Sequence, residues 1–153
     1  MSRLLMTIAV LVKRAGVYLS SQDIIVNVAG GFRAMEPAAD LGMALALVSS
    51  ARNVPLAEGM AVLGEVGLGG ELRSVSNVPR RLGELSHMGF EKCLVPESAM
   101  QSVETPRGIK TAAAGTLVEG LGLALSSDAG REGSGLGSEM QPEETPGGGY
   151  GRR

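Results

Sequence analysis

Along the first 125 residues the apolar positions recur in two rhythms. Leu4, Leu5, Ile8, Leu11 and Val12 fall three and four residues apart, the spacing of one helix face. With Ser2 as cap, Lys13 and Arg14 in the last turn and Gly16 as stop, a helix over residues 2–15 is expected. Residues 23–29 are β-branched and nearly continuous through Ile24, Ile25, Val26 and Val28, which predicts a largely buried strand, broken by Gly30 and Gly31. A second helix opens at Pro37, in a first turn where the missing N–H has no partner to lose. It runs through Leu41, Ala44, Leu45, Leu47 and Val48 and ends before Pro55.

Residues 60–66 predict another strand, and Gly67, Leu68, Gly69 and Gly70 a tight turn into a return strand over residues 71–75. Asn77 is expected to cap a helix over residues 78–87, with Pro79 just inside and Gly89 as stop. Residues 90–95 and 108–113 predict two further strands, and residues 116–125 a last helix. Strands alternating with helices place the chain in the α/β or α+β class, with crossover connections. After Leu125 the rhythm stops. Residues 126–153 hold eight glycines and two prolines but hardly any large apolar side chain, so a disordered tail is expected there.

Composition refines this picture. Hydrophobic residues make up 44% of the 153, with no Trp, two Phe and two Tyr, so the core must be aliphatic. The net charge of −2 resides in the tail, where five acidic residues face three basic ones, leaving eleven of each in residues 1–125. A neutral domain lacks the strongly basic footprint of an autonomous nucleic-acid binder, so any such contact must use a local patch. The single cysteine, Cys93, excludes an internal disulfide and a cysteine metal cluster, and its apolar neighbours Leu94 and Val95 mark it as a packing thiol. His87 has no second ligand nearby, so no metal is expected. The apolar start of the chain has neither a basic leader nor the length to span a bilayer, and no membrane association is expected.

The glycine cluster at 67–70 lacks the Gly-Lys-Ser/Thr ending of a phosphate loop and is followed by a strand-like segment. A turn with positive φ is expected there, and no nucleotide or other cofactor site. Glu36 and Asp40, four residues apart near the start of the second helix, could act as metal or proton-handling carboxylates. Stabilisation of the helix N-terminus, or pairing with an arginine across an interface, is the favoured structural alternative.

Several segments in series resemble one family. Gly30, Gly31, Phe32, Arg33 and the residues that follow through Leu41 resemble the segment that, in the RadA/Sms family of DNA-repair ATPases, replaces the nucleophile segment of Lon proteases. Gly64, Glu65 and Val66, the glycine turn, and Glu71, Leu72 and Arg73 are similar to the Lon-domain strand-turn-strand. Val75, Ser76 and Asn77, then Gly89 and Phe90, then Leu94, Val95 and Pro96 follow in the family's order. The resemblance covers about residues 2–125. It implies an α+β Lon proteolytic-domain fold, similar to ribosomal protein S5 domain 2, with a mixed sheet and packed helices. It also implies a homo-oligomer (a hexameric ring) and a part in recombinational DNA repair on single-stranded or branched DNA. The family's zinc cysteines, Walker loop and Lys-Asn-Arg-Phe-Gly motif do not occur in this chain, which suits a fragment of a longer ATPase whose remainder lies upstream.

Lon proteases need a serine nucleophile and a neutral lysine base close together. The resemblance places Ala38 at the serine position and Pro79 at the lysine position, and the three lysines, Lys13, Lys92 and Lys110, lie off that helix. The expectation is a chain that is not itself an enzyme, in a family whose full-length protein is a DNA-dependent ATPase; the alternative is an ATP-dependent serine peptidase of the Lon family. Arg33, Arg73, Arg80 and Arg81 are the candidate phosphate contacts, with a solvated face or an ion pair to a neighbouring subunit as the structural alternative. The expected location is intracellular, with cytoplasm and organelle both open.

Overall fold

A computed structural model describes residues 2–19, 21–27, 36–101 and 104–125. The end of the strand expected over residues 23–29, the Gly30-Gly31 break, Arg33 and the tail at 126–153 lie outside the described residues.

Helix α1 spans Arg3–Arg14 and ends beside Gly16, whose φ of +62° suits glycine at a helix stop. Ser2 stands at the cap position, but its side chain makes no capping bond. One turn of 3-10 helix at Pro37–Ala39 leads into α2, Asp40–Arg52, which stops at the left-handed Asn53. Strand β1 is Met60–Val62, β2 is Glu65–Val66 and β3 is Leu72–Arg73. Then come α3 (Val78–His87), β4 (Lys92–Pro96), α4 (Glu97–Met100), β5 (Lys110–Ala114) and α5 (Leu117–Ala124).

The architecture is mixed α and β around a parallel sheet, in keeping with the α+β expectation. Strands β1, β4 and β5 form that sheet with β4 in the centre, while β2 and β3 form a separate antiparallel ribbon, so the one mixed sheet expected is divided in two. The alternation along β4 decides which helices cover which face. Leu94 joins Leu11, Leu41, Leu45, Val48, Leu117 and Leu121, the buried faces of α1, α2 and α5. Cys93 and Val95 join Ala61, Val78, Leu82 and Ile109, which packs α3 against the other face.

Two expectations need correction. Residues 23–27 form no strand: Ile25 is 92% exposed and Val26 40%, although their β-branching predicted burial. Intrinsic β-propensity is a weak guide there, since these residues pair with none of the described strands. The strand expected over residues 60–66 is broken at Gly64. That residue turns its backbone toward the 3-10 turn, accepting from Leu41 N–H at 3.1 Å and donating to Ala38 C=O at 3.2 Å. A Cβ on Gly64 would meet Pro96 Cγ at 3.1 Å, so glycine is what lets the chain leave the sheet here.

The glycine turn behaves as expected. Gly67 donates to Glu71 C=O and Gly70 to Gly67 C=O, each at 2.9 Å, and Gly70 has φ +89°. The ribbon is fastened to the end of β5 through Leu72 N–H to Gly115 C=O and Leu117 N–H to Gly70 C=O, both 2.8 Å. Thr116 and Glu119 form a capping box at the start of α5.

One buried ion pair joins α1, α2 and the ribbon. Arg3 donates from Nε to Asp40 Oδ1 at 2.8 Å and from Nη2 to Oδ2 at 2.5 Å, while Val66 N–H reaches the same carboxylate at 3.3 Å. Asp40 is fully buried and Arg3 partly so. The hydrogen bonds to Asp40 hold the Arg3 guanidinium above the ordinary arginine range; partial burial opposes this, and attraction to Asp40 and Glu65 adds to it. Arg3→Ala leaves a buried carboxylate with one backbone donor and is expected to cost about 3 kcal/mol in urea unfolding. The paired change Arg3→Met/Asp40→Leu is expected to cost far less, because neither charge remains unmet. Equal losses for the two variants would show that packing, not charge, governs this corner.

Candidate nucleic-acid interface

The candidate arginines lie on the ribbon and on the first turn of α3. Arg73 ends β3 and donates from Nε to Glu71 Oε1 at 3.0 Å, within a salt bridge. Glu71 folds back over the glycine turn. Hydrogen bonding to its own backbone first, and then to Arg73, holds its carboxyl below the usual carboxylate range. A Cβ at Gly67 would collide with that carboxylate, so the bare turn is what allows the pairing.

Arg80 and Arg81 follow Pro79 in the first turn of α3. That turn starts from Asn77, which sits in the left-handed region with φ +58° and makes no side-chain cap. The capping role expected of Asn77 is therefore corrected: its tolerance of positive φ shapes the entry to the helix. Arg80 is 81% exposed and reaches Glu84 one turn on at 3.0 Å, a pairing worth a few tenths of a kcal/mol. Arg81 is held more firmly. It bonds Glu36 across the chain and donates from Nε to Ser76 C=O at 3.0 Å. The carboxylate of Glu36 thus meets its arginine within one chain, as Asp40 meets Arg3. Arg33 lies outside the described residues.

Ala38 is buried within the 3-10 turn and Pro79 is exposed at the start of α3. Neither side chain carries a nucleophile or a base. Cys93 is buried in the centre of the sheet, and desolvation pushes its thiol up to about 12. Among the described residues no group of three or more His, Cys, Asp or Glu is placed to hold a metal ion, and no helix is long and apolar enough to cross a membrane.

Comparison with known proteins identifies the class to which this arrangement belongs. The family model described as subunit ChlI of Mg-chelatase matches residues 6–99, and the chain belongs to that family. It is also similar to proteins named DNA repair protein RadA. The one from Synechocystis sp. is 43% identical over 143 residues, covering 94% of this chain and 28% of that protein. The one from Halalkalibacterium halodurans is 39% identical over 124 residues, 81% of this chain and 27% of its own length. The one from Chlamydia pneumoniae is 45% identical over 102 residues, 67% and 22% respectively. The chain thus spans less than a third of the length of these relatives.

The expectation that the chain is no enzyme is corrected by these findings. Its family is described as a subunit of an enzyme, Mg-chelatase, so the chain belongs with enzyme-family proteins. A missing dyad and phosphate loop describe only the chemistry of these residues, and a module of an enzyme need carry no reacting group itself.

Two measurements check this geometry. Arg81→Ala is expected to destabilise the chain by about 1 kcal/mol in thermal or urea unfolding, while Arg80→Ala stays within about 0.5 kcal/mol. Cys93 is expected to react with a thiol reagent at neutral pH only after denaturant is added; prompt labelling of the native chain would contradict its burial.

Proposed function

We propose that the chain is the Lon-like assembly and DNA-associated module of a RadA/Sms-type recombinational repair protein, working as part of a longer DNA-dependent ATPase. The observation that carries this reading is the similarity of 94% of the chain to a DNA repair protein of which it spans 28%. The run of matching segments from Gly64 to Pro96 supports the Lon-like fold, and Ala38 and Pro79 at the dyad positions argue for a role in assembly and DNA contact over peptide cleavage.

In this proposal copies of the chain pack side by side into a ring, hexameric as in the family it resembles. The exposed apolar side chains Leu5, Val12 and Tyr18 on and after α1 are available for burial between copies. Arg80 contributes to DNA contact most readily, because its exposed pairing with Glu84 is released at little cost. Arg73 and Arg81 join it where a phosphate displaces their carboxylates, and Arg33 remains a candidate.

A second reading, a part of a chelatase-like assembly, is favoured by the family description alone. The repair reading has the support of longer matches.

Sedimentation of the full chain over a concentration series, with and without single-stranded DNA, tests the proposal. Association that rises with concentration, and co-sedimentation with DNA that weakens as salt is raised, are the expected results. A strict monomer at high concentration that ignores DNA would overturn it.

A further inference from the structure

The parallel register of β4 and β5 sets Lys92 directly opposite Lys110. Both are exposed, at the N-terminal edge of the sheet. By strand alternation they share one face, that of Leu94 on β4 and Ala112 on β5. Neighbouring strands lie about 5 Å apart, so the two lysines leave the backbone side by side at this edge. Like charges opposed across strands destabilise a sheet. Among the described residues neither lysine has a carboxylate within salt-bridge distance, whereas Arg3, Arg73, Arg80 and Arg81 each have one.

Two charged residues flank the pair along the chain. Exposed Arg107 lies in the turn before β5, held against the end of α3 by Ser86 Oγ donating to Arg107 C=O at 3.1 Å. Glu91 stands next to Lys92, but alternation sends it to the opposite face, and it forms no ion pair among the described residues. Backbone bonds fix the edge: Glu91 N–H and Lys92 N–H both reach Gly59 C=O, and Lys110 N–H reaches Glu91 C=O at 2.8 Å. The sheet backbone therefore fixes where the two lysines emerge, and no carboxylate among the described residues pairs with either.

We infer that Lys92 and Lys110 form an anion-contact site for the phosphate backbone of single-stranded DNA, at the opposite sheet edge from Arg80 and Arg81. An oxyanion between two ammonium groups removes their mutual repulsion and gains two charge-assisted hydrogen bonds. Lysine suits this role, since it acts as a point charge and needs no fixed fork of acceptors. This inference rests on the DNA-associated reading above.

Fluorescence anisotropy of a labelled oligothymidylate with the full chain, across a salt series, provides the test. Lys92→Gln/Lys110→Gln is expected to weaken binding about tenfold at low salt. It should lower the log–log salt slope by about 1.4, two contacts at about 0.7 each for a single strand. Its melting temperature should stay level or rise, because a repulsion has been removed. Lys92→Arg/Lys110→Arg keeps both charges and should keep the slope. If the native chain binds DNA and the glutamine variant keeps both affinity and slope, the lysine site is wrong and the repair reading stands. Weaker binding with an unchanged slope overturns the site as well. If the native chain does not bind DNA at all, the site and the reading on which it rests both fall.

Discussion

A charge taken wholly out of water must be met in place, and Asp40 is such a charge. Its carboxylate is fully buried at the first residue of α2, and it is satisfied by the two-pronged guanidinium of Arg3 and by the N–H of Val66. Those three groups come from the first helix, the second helix and the ribbon, so their meeting fixes the relative placement of three separate elements. Leu11, Leu41 and Leu45 then fill the space below with no polar group to satisfy. The apolar contacts supply the bulk of the stabilisation, and the ion pair ties the three elements together at one point.

The parts of the fold governed by short-range rules were legible in the amino-acid order. The helix over Val78–His87 lies where Asn77, Pro79 and Gly89 place it, and the glycine turn closes a hairpin as its composition requires. The failures came where a distant contact decides. Ile24, Ile25 and Val26 have the composition of a buried strand, yet they pair with no strand among the described residues. The break at Gly64 depends on Pro96, thirty-two positions away in the chain, and on the segment at Ala38. The single turn α4 is too short to show a helical period.

The candidate arginines were picked out by residue type and not by partner. The pairing of Arg80 with Glu84 follows from helical spacing, but that of Arg81 with Glu36, forty-five positions away, is set only in three dimensions. The facing of Lys92 and Lys110 was hidden for the same reason, because it depends on the register of two strands separated by a helical turn and a loop. Membership of an enzyme-associated family was likewise invisible from missing catalytic groups, since absence of a dyad describes a residue set and not the machine to which it belongs.

The fastening of the ribbon to the last helix has a kinetic meaning. The amides of Leu72 and Leu117 each bond to a carbonyl across that junction, and the box of Thr116 and Glu119 closes the same corner. Both bonds cross the same junction, so detaching the ribbon from α5 breaks them together. Where hydrogen exchange proceeds by that detachment, the two positions keep a shared clock, set by the corner as a whole.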